Sequence, residues 1–314
     1  DVYKRQPDDD ELSLGAAGLS PLGDKNINPI IIAADLILLV GYDPIEMRSG
    51  WRNLWDCSEN RVIEILIAPE YSYMHQSSIS FVCDIGEGIR ALSDGVDTKT
   101  TWKNGELTEM LNRHATIYGQ KQEWGPGAIT ETVRELVPRD TIITMDSGAH
   151  RILISQAWPT YVPRSALQSS AFCTMGCALP LATGAKLADP SRVVVAFMGD
   201  GGLEMVLGEL ITLRDLALPV IVIVFVDASL ALIEKKQREM QLYHVCPQVP
   251  SLGSWCVDFM RPSRLHHKTQ SHIQVCHISF PKSAAQFLVY FLKELCFLER
   301  CPSAKNRYLA YIPY

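Results

Sequence analysis

The chain has 314 residues, 47% hydrophobic and 20% charged, enough for two ordinary domains with cores of their own. A formal net charge of -6 with no basic stripe argues against a nucleic-acid partner, and no apolar run approaches the ~20 residues of a membrane helix. Nine cysteines without a short, even framework point to a reducing compartment, cytoplasm or organelle matrix, rather than to disulfides.

The polar opening, DVYKRQPDDDE, carries no secretory signal and reads as the edge of a longer chain, or as sequence joined to one. Residues 1–92 are expected to hold part of a scaffold α/β domain. Ala34–Val40 (ADLILLV) reads as a buried strand closed by Gly41-Tyr42-Asp43-Pro44, Val62–Ile67 as a second strand, and Phe81-Val82 as part of a shorter third. A helix is expected to begin at Gly86–Leu92. With no G-x-G-x-x-G, Gly41 is a strand-end turn rather than a dinucleotide grip. Tyr71, Tyr73, Met74 and His75 share a loop, where His75 reads as a surface residue. Residues 93–123 are polar and read as a linker with one marginal helix near Leu107–His114.

The second domain, residues 124–242, opens at Trp124. Pro126 suits the first turn of a helix running to about Leu136. Thr141–Met145 is then the strand that delivers Asp146 to His150. Val193–Met198 is a β-branched run fit for one buried strand, and Gly199-Asp200-Gly201-Gly202 follows as a tight turn. Leu203, Val206, Leu207, Leu210, Ile211 and Leu213 recur at helical spacing, predicting a helix over 203–216 that Pro219 stops. Val220–Val226 is seven apolar residues in a row, a strand covered on both faces. Strands joined this way are parallel, so Asp200 and Asp227, 27 residues apart, both fall at carboxyl strand ends, where open α/β sheets bind ligands. A helix N-terminus over the glycine turn favours a phosphate, and two carboxylates beside a phosphate call for a hard divalent cation such as Mg²⁺. The same spacing also fits an aspartate that caps a helix beside one that merely ends a strand.

Three segments in this domain resemble the diphosphate-binding domain of the thiamine-diphosphate enzymes related to acetolactate synthase. Gly199-Asp200-Gly201 with Asp227 is similar to that family's metal motif. Cys173–Ala188 (CTMGCALPLATGAKLA) is similar to its T-M-G-x-G-L-P-x-A-x-G-A segment, and Met145–Arg151 (MDSGAHR) to D-x-G-Q-H-Q. The intervals agree: 25 residues separate His150 from Met175, and 25 more lead to Asp200. The resemblance implies an α/β fold of two Rossmann-like, doubly wound parallel-sheet domains, of which the first is the end of a middle domain. It implies thiamine diphosphate and Mg²⁺ as cofactors. His150 would stand beside the diphosphate, with Gly176, Gly199, Asp200, Gly201, Gly202 and Leu230 around the cofactor and Met175 holding it bent. Asp200, Asp227 and the Ser229 carbonyl would hold the metal. Ala149 departs from the family's Gln, which removes one hydrogen bond to the diphosphate. His150 could also be an ordinary loop histidine, though the motif spacing favours the ligand role.

Ala228–Gln237 corresponds in that family to a loop lining the substrate pocket. Leu232 and Ile233 match its apolar pair, and Lys236 stands where acetolactate synthases have a Trp, which suggests a sister group; Lys236 could also simply face solvent. Cys173 and Cys177 have no second pair to complete a zinc site and read as small packing residues. Glu204 and Glu209 read as ordinary helix residues. Past Leu242 the resemblance is expected to end. Residues 243–314 hold five of the nine cysteines and five of the eight histidines and read as an atypical tail, a composition break that suggests sequence not native to the family, with a helix expected only at Ala284–Leu298.

The activity implied is decarboxylation or carboligation of 2-keto acids by a homo-oligomer, a dimer or tetramer, with no nucleic-acid or membrane partner. The family's N-terminal domain, whose Glu tunes the cofactor from a neighbouring subunit, has no counterpart here. The chain alone is therefore expected to bind cofactor weakly and to turn over little. The alternative is a non-catalytic or degenerate α/β cofactor-binding module; a nicotinamide oxidoreductase lacks its glycine fingerprint.

Overall fold

The computed structural model describes residues 8–42, 54–69, 75–97, 102–118, 125–170, 172–226, 229–242, 272–277 and 306–313. The chain is α/β and divides into two compact units, one spanning Glu11–Gln120, the other Lys121–Tyr314 with Val2–Asp10.

The first unit carries three parallel strands in the order β1 (Leu36–Val40), β2 (Arg61–Leu66) and β3 (Ile79–Val82). A helix not anticipated from the sequence, α1 (Pro21–Ile32), precedes them. Its start is well specified, since Ser20 Oγ accepts the Gly23 N–H at 3.2 Å and Pro21 fills the first turn. Helix α2 (Ile85–Ser93) follows β3 and packs on β2. Gly88 permits that approach, because a Cβ there would lie 2.9 Å from Ile65 Cγ2. The helix expected near Leu107–His114 is present and longer: α3 (Glu106–Tyr118) packs on α1, buries Met110, and accepts a bond from Asn26 Nδ2 at the Met110 carbonyl (3.0 Å). One turn of buried contact thus outweighs the weak helical signal of a polar segment.

In the second unit six strands, all parallel to their neighbours, run in the order β5 (Ala166–Gln168), β4 (Ile142–Met145), β6 (Val194–Gly199), β7 (Ile221–Val226), β9 (Asn306–Pro313) and β8 (His272–His277). Strands β8 and β9 show that residues beyond Leu242 complete the edge of this sheet; the expected helix at Ala284–Leu298 lies outside the described residues. Side chains alternate between two cores. Val195, Phe197, Ile221, Ile223 and Phe225 face α4 (Pro126–Leu136) and α5 (Ala149–Ala157). Val194, Ala196, Met198, Val222 and Val224 face α6 (Ala178–Ala188) and the pair α7 (Asp200–Met205) and α8 (Glu209–Asp215).

The helix predicted over 203–216 is therefore two short helices. Between them Val206 and Glu209 make three-residue-spaced bonds to Leu203 O (3.0 Å) and Val206 O (2.9 Å). The break sets Val206 against Gly176, where a Cβ would come within 2.7 Å of Val206 Cγ1 and where φ is +83°. Only glycine fits both conditions. The segment read as a pocket loop, Ala228–Gln237, is mostly helix, α9 (Ala231–Glu239). Among the described residues no helix is long and apolar enough to cross a membrane.

Candidate functional site

The chain leaves β4 through α5 on one face and leaves β6 through α7 on the other, so the sheet order reverses between these two strands. That reversal opens a crevice beyond their carboxyl ends. Residues 146–150 leave β4 there and Gly199–Gly202 leave β6 there. A cavity of about 170 Å³ lies over them.

Asp146 organises the floor. It is fully buried, and its N–H continues the ladder to Phe197 O at 3.0 Å. Oδ2 accepts the Gly176 N–H at 2.9 Å, and Oδ1 lies 3.4 Å from the Cys177 thiol. Burial raises its pKa, against the hydrogen bonds from Gly176 and Cys177. A Cβ on Gly202 would overlap Asp146 Oδ2. One carboxylate thus ties together all three motif segments. Sequence reasoning quoted Asp146 within its motif and gave it no role. The available signal was a charged residue directly after a strand in which Thr144 is the one polar residue.

His150 sits in the first turn of α5 and lines the cavity. Its ring stacks on Phe225 (5.6 Å, 21°), which stacks on Phe197, which meets Trp158 edge-on. Nε2 is buried without a hydrogen-bond partner. Burial, then the neighbouring Arg151 charge, pushes its pKa down to about 4, against the hydrogen bond that the ring donates to the Asp146 backbone carbonyl. Near neutral pH the imidazole is uncharged and able to serve an incoming polar group.

Opposite, Asp200 is buried at the start of α7 with Oδ1 accepting the Gly201 N–H at 2.9 Å. Met175 and Leu230 converge over Gly201, within 3.6 and 3.1 Å of where its Cβ would be. Ser229, Leu232 and Ile233 close the far wall together with Phe225, a lining residue not foreseen. Ser229 Oγ donates to Glu234 Oε2 at 2.9 Å, and Glu234 pairs with Arg238.

The structure therefore brings His150, Met175, Gly199, Asp200, Gly201, Gly202, Ser229, Leu230, Leu232 and Ile233 around one cavity, with Gly176 just beneath. Lys236 is not among its lining; its ammonium is exposed and bonds Glu239 Oε2 at 2.7 Å. Asp227 lies outside the described residues. Among the described residues no three His, Cys, Asp or Glu side chains gather as a metal site. Among the described lining residues Asp200 is the one carboxylate, and a bound group could add oxygen ligands for a cation.

Residues 146–259 match the family described as "Thiamine pyrophosphate enzyme, C-terminal TPP binding domain", a match that runs past Leu242. The chain is 29% identical over 229 residues to the acetolactate synthase isozyme 1 large subunit of Escherichia coli, covering 72% of this chain and 40% of that protein. It is 29% identical over 213 residues to the acetolactate synthase of Bacillus subtilis, covering 65% and 37%. With the chloroplastic acetolactate synthase 1 of Zea mays it shares 29% over 236 residues, covering 72% and 36%. The chain thus spans about 40% of the length of these relatives.

Proposed function

Because the chain carries a thiamine pyrophosphate enzyme C-terminal domain and is related to acetolactate synthase, we propose that its second unit binds thiamine diphosphate through Mg²⁺ as part of a protein acting on 2-keto acids. The observation that carries this reading is the cavity at the strand-order reversal, with the unpartnered Nε2 of His150 on one side and buried Asp200 on the other. The residues fit the group. With its other ring nitrogen on the Asp146 backbone, His150 would donate through Nε2 to a diphosphate oxygen on taking up a second proton, which the anion's charge favours, and Asp200 with the Ser229 carbonyl and Asp227 would supply oxygen ligands to the cation. Met175 and Leu230 offer the apolar wall against which the cofactor would rest. Once bound, thiamine diphosphate supplies the electron sink for decarboxylating a 2-keto acid. The chain's own contribution is to hold the group, keep water from the apolar wall, and admit a small substrate past Leu232 and Ile233.

A second reading is a cofactor-binding module without catalysis. The cavity favours it in one respect, since His150 and Asp200 are its only ionisable lining residues among the described ones. Calorimetric titration of thiamine diphosphate with Mg²⁺ into the chain tests the first half. Asp200→Ala should weaken uptake at least about tenfold, as expected when a charged ligand is lost; unchanged uptake would refute the cation-bridged diphosphate. Release of CO₂ from pyruvate by the full-length protein, saturated with cofactor, separates enzyme from module.

A further inference from the structure

Cys173 and Cys177 bracket Met175 on the turn that leads into α6. Neither is in a disulfide, both keep some exposed surface, and the adjacent Phe172 is 93% exposed. Their setting differs from that of inert packing thiols. Arg151 Nη1 lies 3.6 Å from Cys173 Sγ and also donates to the Ser169 carbonyl at 3.2 Å. Cys177 answers to the same two groups, feeling the Arg151 charge and the Ser169 backbone, while its thiol points to Asp146 Oδ1. Two sulfurs four residues apart therefore lie about the Ser169 backbone, Cys173 against the Arg151 guanidinium and Cys177 against the Asp146 carboxylate.

We propose that Cys173 and Cys177 form a peroxide-driven thiol–disulfide switch in which Cys173 attacks, Cys177 resolves, and the bridge disturbs the cavity wall between them. Cys173, as its thiolate, attacks one oxygen of hydrogen peroxide. The O–O bond breaks, the other oxygen leaves as hydroxide and becomes water, and the sulfur is oxidised to a sulfenic acid. Arg151 steadies the negative charge on the attacking sulfur. Cys177 then attacks that sulfur and the S–O bond breaks. The Cys177 proton leaves with the hydroxyl as a second water, by way of Asp146. Peroxide is the two-electron oxidant, and two thiols become one disulfide. Burial, then the Asp146 charge, pushes the Cys177 thiol up to about 11, so it reacts second. Bridging removes the proton that Asp146 Oδ1 accepts and draws in Met175 and Gly176. That last consequence rests on the cofactor reading above; the bridge itself does not.

Trypsin should release Ser165–Lys186, a peptide containing these two cysteines and no others. After peroxide and alkylation, the expected result is a peptide lighter by about 2 Da than its dithiol form and closed to the alkylating reagent. Cys177→Ser should stop at a sulfenic acid on Cys173 that dimedone traps, and Cys173→Ser should leave Cys177 alkylatable. Circular dichroism confirms that each variant is folded, with Cys177→Ala as the second choice at the buried position. Oxidation of Cys177 in Cys173→Ser, over-oxidation of both sulfurs without a bridge, or full alkylation after peroxide would each overturn the switch. Thiamine diphosphate with Mg²⁺ should bind the bridged chain at least about tenfold more weakly, the scale of one or two lost hydrogen bonds, and dithiothreitol should restore it. Equal affinity in both forms would overturn the effect on the wall. A reduced chain that binds no cofactor would overturn the cofactor reading, leaving the mass shift to judge the bridge.

Discussion

The two parallel sheets are built from similar strands and clothed very differently. In the second unit β4 and β7 are buried at every residue and β6 at all but Gly199. In the first unit β3 is exposed at all four positions, and β1 buries only Leu39. Parallel strands are at home with both faces covered, and helices on two faces achieve that around β6. Rigidity therefore concentrates where the motif residues emerge, and a strand tip can hold Asp146 or Asp200 in place only if the strand behind it cannot move. Function follows coverage here, rather than strand composition.

The contrast is broken most directly by removing an aromatic from each sheet. Phe197 is fully buried between Trp158 and Phe225. Phe197→Ala should cost about 3–5 kcal/mol and remove cofactor uptake with it. Phe81, on β3, is 43% exposed, and Phe81→Ala should cost about 1 kcal/mol or less. Urea titrations of both variants decide this. Comparable losses would mean that the first sheet is as tightly buttressed as the second. Amide hydrogen exchange sharpens the point, since β6 and β7 should exchange far more slowly than β1 and β3.

Acid should find the second unit first. His150 has a pKa near 4 in the fold against an ordinary value of 6.5, so the unfolded chain binds the extra proton between those values. Stability is present above pH 6.5 and is lost as pH falls toward 4, on the order of 3 kcal/mol if the whole shift counts. Asp146 runs the other way: its raised pKa favours the fold at low pH and withdraws that help as pH rises through it. Comparing the wild-type profile with that of His150→Gln isolates the histidine. A variant with an equally steep fall from pH 6.5 to 4 would show that some other group sets it. In the first unit the shifted groups, Asp56 and Glu106, are fully exposed carboxylates lowered by local hydrogen bonds, and they add no comparable slope.

Two glycines test how tightly the floor is packed. Gly202 has Asp146 Oδ2 where a Cβ would stand, whereas Gly184 in α6 has nothing within 4 Å. Gly202→Ala should destabilise by roughly 1–3 kcal/mol through forced overpacking, and should weaken thiamine diphosphate binding. Gly184→Ala should stabilise by about 0.5–1 kcal/mol through helix propensity alone. Equal outcomes in thermal melts would mean that Asp146 moves aside freely.

What the sequence made legible follows from the same contrast. Strands β4, β6 and β7 were readable because a doubly covered strand needs an unbroken apolar run, as Val220–Val226 supplies. The glycine turn and its motif partners were readable because close backbone approach excludes side chains. Helix α1 was missed because Asn26, Asn28 and Pro29 blur its period, while its stability comes from contacts with α3 that are remote in sequence. The break at Val206–Gly208 was invisible for a related reason. Each apolar position fits a continuous helix, and only the approach of Val206 to Gly176 selects the interrupted one. Asp146 escaped notice as a hub because its partners lie 30 and 56 residues away, at Gly176 and Gly202.

The smallest effect belongs to the residue that drew attention by replacing an aromatic. Lys236 is expected from sequence to alter substrate choice, yet its ammonium pairs with Glu239 on the exposed side of α9 while Leu232 and Ile233 face the cavity. Exposed helical ion pairs contribute about 0.3–0.5 kcal/mol. Lys236→Ala should therefore shift stability by no more than that and leave thiamine diphosphate affinity unchanged. Leu232→Ala, by contrast, removes part of the wall and should change which 2-keto acid competes best in a mixed-substrate assay. If Lys236→Ala redirected that competition as strongly as Leu232→Ala, then α9 must turn its charged face inward when substrate arrives, and the boundary between wall and solvent drawn here along that helix would have to move by one turn.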